Sequence, residues 1–116
     1  MPSRQVKEAV DLARVGSGSG PLWGLESADL NATLLSWPPG HAIAEHSNSE
    51  LDVVLILLQG SACVAVDGID HHLTAEHLLL IPRGSVRCIT AGSDGARYLS
   101  IHRRRGPLVP SFGPAR

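Results

Sequence analysis

Between residues 22 and 103 the chain is cut by Gly, Pro, Asn, Asp and Ser into nine short apolar runs, at 22–25, 30–37, 42–46, 51–59, 61–66, 69–73, 78–81, 85–90 and 97–103. None of them has the sustained 3.6-residue periodicity of a packed helix, and most alternate or carry β-branched residues. Many short strands at close spacing in a small chain specify an antiparallel sandwich or barrel. The clearest turn is Asp67-Gly68, flanked by 62–66 and 69–73. A two-residue Asp-Gly loop suits a type I′ hairpin, whose two central residues both need positive φ. Upstream, Val6, Ala9, Val10 and Ala13 recur at helical spacing between Ser3, a possible N-cap, and Gly16, a stop, so a short amphipathic helix is expected over 3–15. The sequence thus divides into a helix with a Gly/Ser linker (1–20), a strand-rich domain (21–105), and a Pro/Gly-punctuated irregular tail (106–116).

At 116 residues the chain has room for one domain. Two cysteines, Cys63 and Cys88, make no disulfide framework and no CxxC pair, and are expected as reduced thiols. The longest apolar run, 53–58, is too short to cross a bilayer as a helix, and the first apolar stretch is interrupted by Lys7, Glu8, Asp11 and Arg14, unlike a signal peptide. A cytoplasmic protein with no membrane partner is the expectation. Charge is segregated: residues 15–82 carry eight acids and no Lys or Arg, whereas 83–116 carry seven arginines against Asp94. Opposite charges on neighbouring strands account for this pattern better than a nucleic-acid surface, which would bring aromatic or helical readers with its basic patch. No nucleic-acid partner is expected.

The sharpest chemical pattern is His46-x-Asn48-x-Glu50-x-Asp52. On a regular strand these four side chains share one face. An imidazole, an amide and two carboxylates form a donor set for a divalent metal; the same residues also make a good loop. Further on comes the run Ile81-Pro82-Arg83-Gly84-Ser85-Val86-Arg87.

Taken together, these segments resemble the two motifs of the cupin family, G-x5-H-x-H-x3,4-E-x6-G and G-x5-P-x-G-x2-H-x3-N. Gly40, His46, Gly60, Pro82 and Gly84 fit in order and spacing, and the resemblance spans about residues 30–103. It implies an all-β fold: a double-stranded β-helix (jelly-roll) barrel with a central pocket, here preceded by the short N-terminal helix. It also implies metal ligands at four positions, occupied here by His46, Asn48, Asp52 (or Val53, under the longer spacing) and Arg87. Glu76 stands where the second motif opens with Gly, and Ala91 where it closes with Asn.

Arg87 is the decisive departure. A guanidinium stays protonated and has no lone pair to give a metal. Set against Asp52 or Glu50 it would form a charge-assisted pair; left open, it would receive an anionic or carbonyl-bearing molecule. Two functions follow. In one, a small metabolite binds in a pocket formed by His46, Asn48, Glu50, Asp52 and Arg87, with no cofactor. In the other, the protein is a metal-dependent enzyme, a dioxygenase or isomerase, in which His46, Asn48 and Asp52 or Glu50 hold a divalent ion. His71, His72, His77 and His102 are substitute ligands for the second case. Tyr98, Ser100 and His102 share one face of the last strand, with either face a candidate interior. Residues 53–58 are apolar on both faces, so a helix, an arm or a second copy is expected to cover the outside, and a homodimer is the expected assembly.

Overall fold

The computed structural model describes residues 9–47 and 50–104, and these form seven antiparallel strands. They are β1 (Gly20–Glu26), β2 (Leu30–Trp37), β3 (Ala42–Ser47), β4 (Val53–Val66), β5 (Ile69–Thr74), β6 (Leu78–Ile81) and β7 (Val86–Arg103). The nine apolar runs are all present, but two pairs are fused. Runs 51–59 and 61–66 make the single strand β4, and runs 85–90 and 97–103 make β7.

Each long strand bends and serves two layers. The first half of β4 pairs with β6 and with the second half of β7, which in turn pairs with β2 and so with β1. The second half of β4 pairs with β5 and with the first half of β7, which carries β3. Five strand segments therefore face four across a shared core, the arrangement of a double-stranded β-helix. The bend falls at Gly60, where the β4·β7 register shifts. Gly60 has a φ of 80°, and a Cβ there would collide with the Gly95 carbonyl oxygen, so only glycine fits. The Asp67-Gly68 turn has φ values of 50° and 82°, as a type I′ hairpin requires.

The core follows from alternation along β4. Val53, Leu55, Leu57, Ala62 and Val64 are buried and pack with Leu73, Ile81, Ile89, Ala91, Ala96 and Tyr98. The register places Tyr98 opposite Leu57, Ser100 opposite Leu55 and His102 opposite Val53, which settles that this face of β7 is the inner one. On the outer face Val54, Ile56 and Leu58 are half-buried.

The expected N-terminal helix is not found. Residues 3–8 lie outside the described residues, and 9–19 contain a turn and no helix. The turn is closed by Arg14 N donating to Asp11 O and by Ala13 N donating to Asp11 Oδ1. Arg97 explains the difference. It projects from the outer face of β7 and donates from Nη2 to Leu12 O and Val15 O, both at 2.7 Å, and from Nε to Leu12 O at 3.2 Å. Carbonyls held by a guanidinium on the sheet are withdrawn from a helical ladder that is marginal at this length. The segment is an arm strapped to the barrel.

Candidate functional site

Arg87 occupies the inner face of β7. It lies opposite Val66 of β4 and two residues before the buried Ile89, so alternation turns its side chain inward. On its other side it pairs with His46 of β3, past a register shift between Ile43 and His46. The structure thus brings two of the expected site residues, His46 and Arg87, onto directly opposed backbone positions. Arg87 is half-buried, whereas His46 is exposed, its Nδ1 3.3 Å from Ala44 O.

Arg87 shares the inner side of β7 with the phenol of Tyr98, and the two act on each other electrostatically. Burial lowers the affinity of the guanidinium for its proton, and the Tyr98 side chain acts in the opposite sense. Tyr98 is 2% exposed. Burial pushes its hydroxyl above the ordinary tyrosine range, while the bond from Trp37 and the positive charge of Arg87 pull it back. Trp37 Nε1 donates to Tyr98 Oη at 3.0 Å, and the indole stacks on His41 with ring centroids 4.4 Å apart. Because Tyr98 Oη accepts from the indole, its own hydrogen is free to be donated. Arg87 offers further N–H groups, and among the described residues no hydrogen bond or ion pair engages its guanidinium. The chemistry is that of a donor set: a fixed cation and a neutral hydroxyl, suited to a carboxylate or carbonyl oxygen.

The acidic members of the expected site are engaged differently. Asp52 Oδ1 accepts the backbone N–H of Arg83 at 2.8 Å, and no ion pair joins it to Arg87. Glu50 and Asp52 help line a rim cleft of about 370 Å³ together with Arg83 and His102. Asn48 lies outside the described residues. Of the substitute histidines, His71 faces inward opposite Val64, and His72 faces outward opposite Cys63. His77 locks the β5–β6 turn, its Nδ1 accepting from Thr74 N at 2.9 Å. His102 sits on the inner-face register with its Nδ1 2.8 Å from Arg103 O.

A metal ion does not fit this set. The position from which the resemblance takes its last imidazole carries Arg87, which has no free electron pair, and Asp52 is engaged by backbone. Sequence reasoning named Arg87 and His46 but missed Tyr98 and Trp37 as partners. The alternation that puts Tyr98, Ser100 and His102 on one face was visible; the register against β4 was needed to show that this face is internal.

No protein-family model matches the chain, and no curated protein matches it in sequence. Solved structures do match it in fold. A Thermus thermophilus protein superposes with a TM-score of 0.74 at 21% identity, covering 86% of this chain and all of its own (100%). A Klebsiella pneumoniae protein described as having a double-stranded β-helix domain gives 0.73 at 20% identity, covering 84% of this chain and 90% of its own. A cupin superfamily protein from Desulfitobacterium hafniense gives 0.62 at 26% identity, covering 73% and 74%. The chain has the double-stranded β-helix fold of a small cupin.

Proposed function

We propose that this small cupin is a binding barrel that takes up a small carboxylate- or carbonyl-bearing metabolite without using a metal ion. The observation that carries the reading is Arg87 on the inner face, opposite His46 of β3 and on the same inner side of β7 as the buried Tyr98. The ligand's oxygen accepts from the Arg87 guanidinium and from Tyr98 Oη. The bond from Trp37 fixes the phenol's orientation, so its hydroxyl is preorganised rather than ordered on binding. His46, at the exposed end of the same pair, adds an imidazole at the entrance.

Trp37 makes the reading measurable, since a ligand bonded to Tyr98 changes the indole's environment. Acetate, pyruvate and bicarbonate are titrated against a Trp23→Phe background with tryptophan fluorescence as the signal. At least one is expected to give a saturable change, lost in Arg87→Met and weakened about 10-fold in Tyr98→Phe, the cost of one hydrogen bond to a charged group. Saturable binding that survives Arg87→Met unaltered overturns the proposal. So does stoichiometric Mn²⁺ binding that broadens the His46 ring resonances, which would favour the metal-dependent enzyme instead.

A further inference from the structure

The outer face of the barrel carries a second group of donors, unconnected with the interior. Cys63 on β4 pairs directly with His72 on β5, and Asp70 lies two residues before His72 on the same outward face. Their donor atoms, the thiol sulfur, a ring nitrogen and a carboxylate oxygen, all lie within 4.8 Å of one another. Direct cross-strand neighbours have Cβ atoms only about 5 Å apart, so the spacing is fixed by the hairpin and not by a mobile loop. The Asp67-Gly68 turn sets the register of that hairpin, and the turn is itself tied to β7 by Asp67 N donating to Val86 O and Val86 N donating to Asp67 Oδ1. Asp70 and His72 are exposed and Cys63 is half-buried, so the group is open to solvent on one side. Among the described residues no side-chain hydrogen bond or ion pair consumes these three donors.

We propose that Cys63, Asp70 and His72 form a binding site for a thiophilic divalent cation of the zinc class on the outer face of the β4–β5 hairpin. Sulfur, imidazole nitrogen and carboxylate oxygen in one cluster is a ligand set that zinc accepts, with its fourth position left to water. Cys63 binds as the thiolate, so one proton leaves the thiol as the S–metal bond forms. Binding therefore strengthens as pH rises towards the thiol's range. That range is raised here, first by burial and then by the negative charge of Asp70. A bound dication offsets that repulsion. Nothing in the site touches Arg87 or His46, so it stands or falls independently of the barrel's ligand.

Co²⁺ serves as the probe, titrated into the full-length reduced chain. The expected result is one equivalent bound, with a thiolate-to-cobalt charge-transfer absorption that stoichiometric Zn²⁺ abolishes. Cys63→Ser should remove the absorption, and His72→Ala should weaken binding by more than about 100-fold, beyond what loss of an outer-sphere partner costs. Both substitutions are at surface-facing positions, and circular dichroism of each variant confirms the fold. Absence of the absorption in the wild-type chain overturns the proposal. So does an absorption that persists in Cys63→Ser, or cobalt binding that is lost in His46→Ala while Cys63→Ser retains it.

Discussion

Glu76 shows how a single residue can sit against its backbone's preference. It closes the β5–β6 turn at a φ of 71°, where Thr74 O accepts from His77 N at 3.1 Å and Leu57 O accepts from Glu76 N at 2.7 Å. A side chain in that region costs about 1 kcal/mol relative to glycine, and the cupin motif has Gly at this place. Glu76→Gly is therefore expected to stabilise the chain by about 1 kcal/mol, read as a rise in the denaturation midpoint; an unchanged or lower midpoint contradicts the strain. Tyr98 gives the pH prediction. Its hydroxyl is pushed above 10.0 in the folded state, so its contribution to stability is complete below the unfolded value and is lost as pH rises through the folded one. Because it is the chain's single tyrosine, the tyrosinate absorbance reports on it alone. That absorbance should appear only above the range of free tyrosine and together with alkaline unfolding; titration in the ordinary range on a folded chain contradicts the buried phenol. At this scale the sequence was partly legible. Gly60, Asp67-Gly68 and Arg87 could be read directly because each has one chemistry that fits. Tyr98 could not, since alternation pairs residues on a face without saying which face is dry.

The elements were legible as runs but not as continuous strands. Gly and Ser at 60–61 and Gly-Ser-Asp-Gly at 92–95 look like loop punctuation, and a strand-ending turn is the usual meaning of such residues. Here they are corners. Gly60 and Gly95 let β4 and β7 cross from one layer to the other side by side, and a Cβ at Gly92 would strike the Ser61 hydroxyl. Only the packing of one corner on the other distinguishes this from a pair of turns. The N-terminal segment failed for a complementary reason: its local periodicity is helical, but a long-range contact 82 and 85 residues away in the chain decides its path. The three hydrogen bonds from the Arg97 cation are each worth about 1.5–3 kcal/mol in a buried setting and less at this partly covered edge. Replacing Arg97 with Met should free the arm. Trypsin is then expected to cleave after Arg14 several-fold faster, with the rest of the barrel remaining resistant; an unchanged rate would mean that Arg97 does not hold it.

For the whole molecule, the double-stranded β-helix explains how one chain carries one set of polar groups inside the barrel and another on its outer face. Alternation along β4 and β7 sends Arg87 and Tyr98 inward and Cys63 outward, with Arg87 and Cys63 three rungs apart on the ladder before the bend and Tyr98 beyond it. The inner set is cationic and donor-rich, and the outer set is acidic and thiol-bearing, so the two call for ligands of opposite charge. Surface remains beyond both: Leu78 and Leu80 of β6 are 61% and 53% exposed, two strands from the anchored arm. On the proposed reading the arginine organises the interior: a permanent charge on the inner face of β7 would draw an oxygen anion and repel a metal cation. The most direct measurement is the Arg87 Nε–Hε resonance in a nitrogen–proton correlation spectrum, assigned by its disappearance in Arg87→Met and followed as a binding carboxylate is added. A saturable shift of that resonance, with the Arg97 signal unmoved, is the expected result. An Arg87 signal that stays at its free, solvent-exchanging position throughout the titration would contradict the account.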